Sequence, residues 1–84
     1  DKIIKDTIET LGGINNVKFV HSSVNRLVVS LYDPTLLDVS KLNDLGSVRI
    51  YETKAGYAIC FGSASTMIRK GISKEIREYV RQVK

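Results

Sequence analysis

Along this chain the hydrophobic residues change their repeat, and the order of those changes limits the fold more than any other feature. Ile4, Ile8 and Leu11 recur at i, i+4 and i+7 between charged residues and run into Gly12-Gly13, which predicts an amphipathic helix with a glycine stop. Residues 17 to 21 (Val-Lys-Phe-Val-His) and 26 to 32 (Arg-Leu-Val-Val-Ser-Leu-Tyr) are rich in β-branched and aromatic types. The short polar loop Ser22-Ser23-Val24-Asn25 separates them, so they predict a β-hairpin. Asp33-Pro34 ends the second strand, because proline offers no ladder donor. Asp38 or Ser40 can then cap a short helix that turns Val39, Leu42 and Leu45 inward and stops at Gly46. A second strand pair is expected over 47 to 52 and 57 to 61, around Lys54-Ala55-Gly56. Ser63 or Ser65 can cap a long final helix in which Ile68, Ile72, Ile76, Val80 and Val83 recur at spacings of three and four. Within it, Met67 is expected in the core, and Gly71 is a soft point, about 1 kcal/mol worse than alanine. The order α-β-β-α-β-β-α predicts an α/β (α+β) sandwich: a four-stranded, mainly antiparallel sheet with helices on one face.

At 84 residues there is room for one domain with one core. The longest apolar stretches are a few residues, against the roughly 20 needed to cross a bilayer, so no inserted segment is expected. Charge alternates with isoleucine from the first residues, unlike a signal peptide, and a cytoplasmic setting is expected. Cys60 is the one cysteine, which excludes an intramolecular disulfide and a cysteine-cluster zinc site. With a single histidine as well, neither a metal nor another cofactor is expected. The formal charge of +4 and pI near 9.4 leave open an alternative function, a basic module that binds an acidic protein or nucleic acid. Its stripe would be Arg69, Lys70, Lys74, Arg77, Arg81 and Lys84, but Glu75 and Glu78 interrupt it, as on an ordinary solvated helix face. Tyr32, Tyr51 and Tyr57 fall in strands and are read as sheet-packing residues rather than a base-stacking platform. No glycine pattern of the GxGxxG or Walker kind is present.

The run from Gly12-Gly13-Ile14-Asn15-Asn16-Val17 through Ser22-Ser23-Val24-Asn25-Arg26-Leu27-Val28 to Asp33 resembles a segment of the glucose-type enzyme IIB domain of the bacterial sugar phosphotransferase system. That segment has two glycines, Asn-Ile, a valine, then Cys-x-Thr-Arg-Leu-Arg and a closing aspartate. Leu42, Leu45-Gly46, Ile50, Gly56 and Ile59-Cys60-Phe61-Gly62 are similar to the family's later helix and strands, so that the resemblance spans most of the chain and is weakest over its last dozen residues. It implies one enzyme IIB-like domain over 1 to 84, cut from a longer permease or regulator and tethered to the inner membrane face only through that parent. The implied activity is a relay, in which enzyme IIA hands a phosphoryl group to a cysteine in the first hairpin loop and the cysteine passes it to sugar held by enzyme IIC. Such a relay needs an exposed thiolate, backbone N–H groups that meet phosphate oxygens, and a nearby arginine.

Position by position, the chain departs from that pattern. Ser23 stands at the cysteine position, His21 where aspartate is frequent, Asn25 at the threonine and Val28 at the second arginine, while Ala58 replaces a glutamine. Arg26 keeps the first arginine. Serine is a weak nucleophile unless a base is positioned beside it, so whether this domain is an enzyme stays open at the sequence. Ser23 is either a slow acceptor with His21 as base or a turn residue, and His21 is an acceptor itself or a strand-end side chain. Arg26 and the N–H groups of Val24 and Asn25 are the candidates for holding phosphate. Cys60, in an alternating strand, is expected as a half-buried hydrophobe and not as a substitute nucleophile.

Overall fold

The structure is a computed structural model, and it describes residues 2 to 47 and 49 to 83, with the side chain of Val83 excepted. Its elements are α1 (Lys2–Thr10), β1 (Val17–Ser22), β2 (Leu27–Leu31), α2 (Val39–Asp44), β3 (Arg49–Thr53), β4 (Gly56–Cys60) and α3 (Ser65–Val83). The four strands form one antiparallel sheet, as expected, and their order is β1-β2-β4-β3. Arg26, expected to open the second strand, lies in the loop before it. Val48, read as part of the third strand, and Lys84 of the basic stripe lie outside the described residues.

Burial follows the period of each element. Leu27, Val29 and Leu31 of β2 and Ile59 of β4 point to the helical side and are closed off there by Ile4, Ile8, Leu11, Leu42, Ile68 and Ile72. Each such side chain contributes roughly 1.5–3 kcal/mol through burial. The residues between them turn to the opposite face of the sheet. On β1 this alternation is reset by a bulge: Val17 pairs with Leu31 and Phe19 with Ser30, so Val17 reaches the core while Phe19, two residues on, is exposed. Buried Asn16 fixes the entry to β1. Its side-chain amide donates to Leu11 O at 2.7 Å and Asp33 O at 3.0 Å, and its oxygen accepts from the Asp33 N–H at 2.8 Å.

Several sequence expectations need correction. Val39 is exposed rather than inward, since α2 is less than two turns long and buries only Leu42 completely. Asp38 does cap that helix, accepting from the Lys41 N–H at 3.1 Å. Met67 and Val80 are also exposed: Met67 lies off the buried stripe of Ser65, Ile68 and Ile72, and Val80 lies beyond it toward the end of α3. Neither serine caps α3. The helix is entered through a 3-10 turn over Gly62–Ala64 without a side-chain cap, and Ser65 is its first residue, with Oγ fully buried and unpartnered.

Gly71 is a contact rather than a soft point. A Cβ placed there would lie 2.5 Å from Ile4 Cδ1 and 2.7 Å from Ile4 Cγ1, so the missing side chain lets α1 seat against α3. Alanine at 71 should therefore destabilise by about 1–3 kcal/mol through overpacking, despite its better helix propensity. Adding Ile4→Val should recover part of the loss, which denaturant titration of the four members of the cycle will measure. Ser65→Ala should raise stability by about 1 kcal/mol, since it removes a buried hydroxyl that has no partner. A capping serine would give a loss of similar size in the same titration.

Candidate functional site: the first hairpin loop

The β1–β2 loop stands at one end of the sheet and is fixed by the strands on both sides of it. Ser22 pairs with Leu27 across the hairpin, and the Ser23 N–H donates to Arg26 O at 3.0 Å, closing a four-residue turn. Ser23, Val24, Asn25 and Arg26 are all exposed, with Val24 the most open large apolar side chain at 87%. A nucleophile here would be accessible, which is the first requirement of group transfer.

Three long-range hydrogen bonds tie this turn to the rest of the chain. Asn25 O accepts from the Gly62 N–H at 3.1 Å, which holds the turn against the start of the last helical segment. Arg26 Nη1 donates to Tyr51 Oη, with its guanidinium carbon 5.7 Å from the Tyr51 ring centroid. Arg69 Nε, from the second turn of α3, donates to Ser22 Oγ at 3.3 Å. By sequence Arg69 belongs only to a basic stripe. Its spacing along α3 gave no sign that it reaches a loop 47 residues earlier.

On the helix-free face, strand register sets one row beside the loop: His21, Val28, Ala58 and Tyr51. Val28 is half-buried and Ala58 is closed off between its neighbours, so the centre of this row is apolar. His21 is exposed at the edge of the sheet, and no hydrogen bond joins it to Ser23 among the described residues. Cys60, half-buried, pairs with Arg49 on the same face. Tyr51 also belongs to this face, Tyr32 is exposed beneath Lys18, and Tyr57 packs on the core. No cluster of metal-ligating side chains occurs among the described residues.

Comparison with known proteins bears on the fold. No protein-family model matches the chain. Among solved structures, it is similar to one domain of the PTS system IIabc component from Clostridium difficile. The TM-score is 0.73 at 18% identity, over 89% of this chain and 79% of that one. The chain thus has the fold of a phosphotransferase-system domain, α+β with a four-stranded antiparallel sheet and three helices in the order α-β-β-α-β-β-α. No helix among the described residues is long and apolar enough to cross a membrane.

The Arg26–Tyr51 contact is exposed and should be worth less than about 1 kcal/mol. A double-mutant cycle of Arg26→Gln and Tyr51→Phe should give a coupling energy below that bound. The amide resonances of Ser23 to Arg26 should nevertheless shift in either variant, because the contact sets the position of the loop more than the stability of the domain.

Proposed function

We propose that this chain is an enzyme IIB-like domain of a sugar phosphotransferase system that docks on relay partners but passes on no phosphoryl group. The observation that carries the reading is the content of the hairpin turn in this fold. An exposed serine opens it, and the row His21, Val28, Ala58 and Tyr51 that follows on the open sheet face is apolar at its centre. An acceptor hydroxyl needs a base within hydrogen-bond reach and a charged surround to stabilise the transferred group. Ser23 has Arg26 in its own turn, whereas the adjoining row offers apolar side chains at its centre. Binding is less demanding, since an accessible loop and complementary charge are sufficient for a transient encounter.

The partners in this reading are enzyme IIA and enzyme IIC, with sugar reached only through enzyme IIC. The domain is part of a longer permease or regulator, sits on the cytoplasmic side and has no membrane insertion of its own. Its basic charge adds attraction toward an acidic partner surface. Nucleic acid is a less suitable partner, because the strand tyrosines do not form one stacking row: Tyr57 is turned to the core.

Phosphotransfer tests this directly. The chain is mixed with phosphoenolpyruvate, enzyme I, the histidine carrier protein and a matched enzyme IIA, and its intact mass is followed. No added phosphoryl mass is expected while enzyme IIA in the same tube is phosphorylated, and titration of labelled chain with enzyme IIA should show saturable binding. A mass gain that disappears in Ser23→Ala would instead establish a working relay through Ser23. Absence of both binding and mass gain would remove the enzyme IIB reading.

A further inference from the structure

The two arginines that tether the hairpin turn approach it from opposite sides. Arg26 leaves the turn along the open face toward Tyr51. Arg69 arrives from α3 on the helical face and meets Ser22, whose partner Leu27 points into the core on that side. Ser23 lies between these two anchor points in the chain. A guanidinium carries five N–H donors, and among the described residues each of these two makes one side-chain hydrogen bond.

Neither arginine is in an ion pair among the described residues. The ion pairs among the described residues are Lys41 with Glu9 and Arg81 with Glu78, and neither involves Arg26 or Arg69. The sequence around them is acid-free over long stretches: residues 10 to 32 and 53 to 74 contain no Asp or Glu. Those stretches build β1, the turn, β2, β4 and the first half of α3, and they carry Lys18, Arg26, Lys54, Arg69, Lys70 and Lys74. The positive end of the α3 dipole adds to the same field. Arg69 is half-buried, and a lone 3.3 Å bond to a serine hydroxyl does little to offset holding an unpaired guanidinium there.

We propose that Arg69 is an anion ligand of the hairpin turn, closing with Arg26 and the N–H groups of Val24 and Asn25 around a tetrahedral oxyanion of the phosphate class. The inference rests on the docking reading above and extends it. The domain recognises a phosphoryl group without accepting it, because two planar donor forks bind such an anion while no group beside Ser23 activates its hydroxyl. The ligand is either free phosphate or a phosphoryl group carried by the docked partner, and binding of the second kind would make docking depend on the partner's phosphorylation.

The test titrates the labelled chain with inorganic phosphate, and separately with phosphorylated and unphosphorylated enzyme IIA, reading backbone amides and the arginine Nε–H signals. Saturable shifts of residues 23 to 26 and of Arg69 Nε–H are expected. Phosphate affinity should fall about tenfold in Arg69→Gln, as for loss of one charge-assisted hydrogen bond, and by less in Arg69→Lys, which keeps the charge but loses the planar fork. Ser22→Ala removes the tether but keeps the guanidinium, and it should retain phosphate binding. If Ser22→Ala costs as much as Arg69→Gln while Arg69 Nε–H never moves, Arg69 is only a tether and the inference fails. It fails equally if neither phosphate nor the phosphorylated partner is preferred, although enzyme IIA binding in both forms would leave the docking reading standing. A preference for phosphorylated enzyme IIA that vanishes in Arg69→Gln supports the inference and identifies the partner's phosphoryl group as ligand. Binding of free phosphate alone supports it with the free anion as ligand.

Discussion

The packing of α3 across β1 and β2 determines where every other element can go. Ile68 and Ile72 close over Leu27, Val29 and Ile59, and the same helix receives α1 at Gly71, where the absent side chain leaves room for Ile4. Close-packed interiors tolerate little change in volume at such a contact. With α1 and α3 both seated on one side, the other face of the sheet receives no helix. The loop at the end of β1 is thereby left beside the second turn of α3, so the packing that stabilises the domain also delivers Arg69 to Ser22.

Charge is distributed along the same division. The acidic residues among those described lie on α1, around α2, on β3 and in the second half of α3, whereas β1, the turn and β2 contain none. Among the described residues no ion pair engages either of the two arginines that tether the turn. Unpaired positive charge of this kind raises the local concentration of anions.

The chemistry open to the turn is narrower than its exposure suggests. Accessibility and positive charge suit recognition of a phosphoryl group, but transfer also needs a nucleophile whose proton has somewhere to go. His21 shares the hairpin with Ser23, yet no hydrogen bond joins the two among the described residues. A surface with these properties is well matched to binding a phosphorylated group and poorly matched to taking it.

Period and turn chemistry are local properties, and they were readable in the chain. The isoleucine spacing of α1 and α3, the two strand pairs and the Asp38 cap all depend on residues within a few positions of one another. The turn holding Ser23 was legible for the same reason. What only the tertiary structure decided depends on which elements meet. Gly71 reads as a weak point until Ile4 is placed against it, and Ser65 reads as a cap until a 3-10 turn puts its hydroxyl in the core. Val39 and Val80 follow helical spacing but are exposed at the ends of the stripes they belong to, and Met67 lies beside the buried stripe of α3 rather than on it. Arg69 is one basic residue among several along α3 until the fold brings Ser22 within reach. Hydrophobic patterning fixes which face of an element turns inward, but the reach of a side chain across the sequence is set only when the core closes.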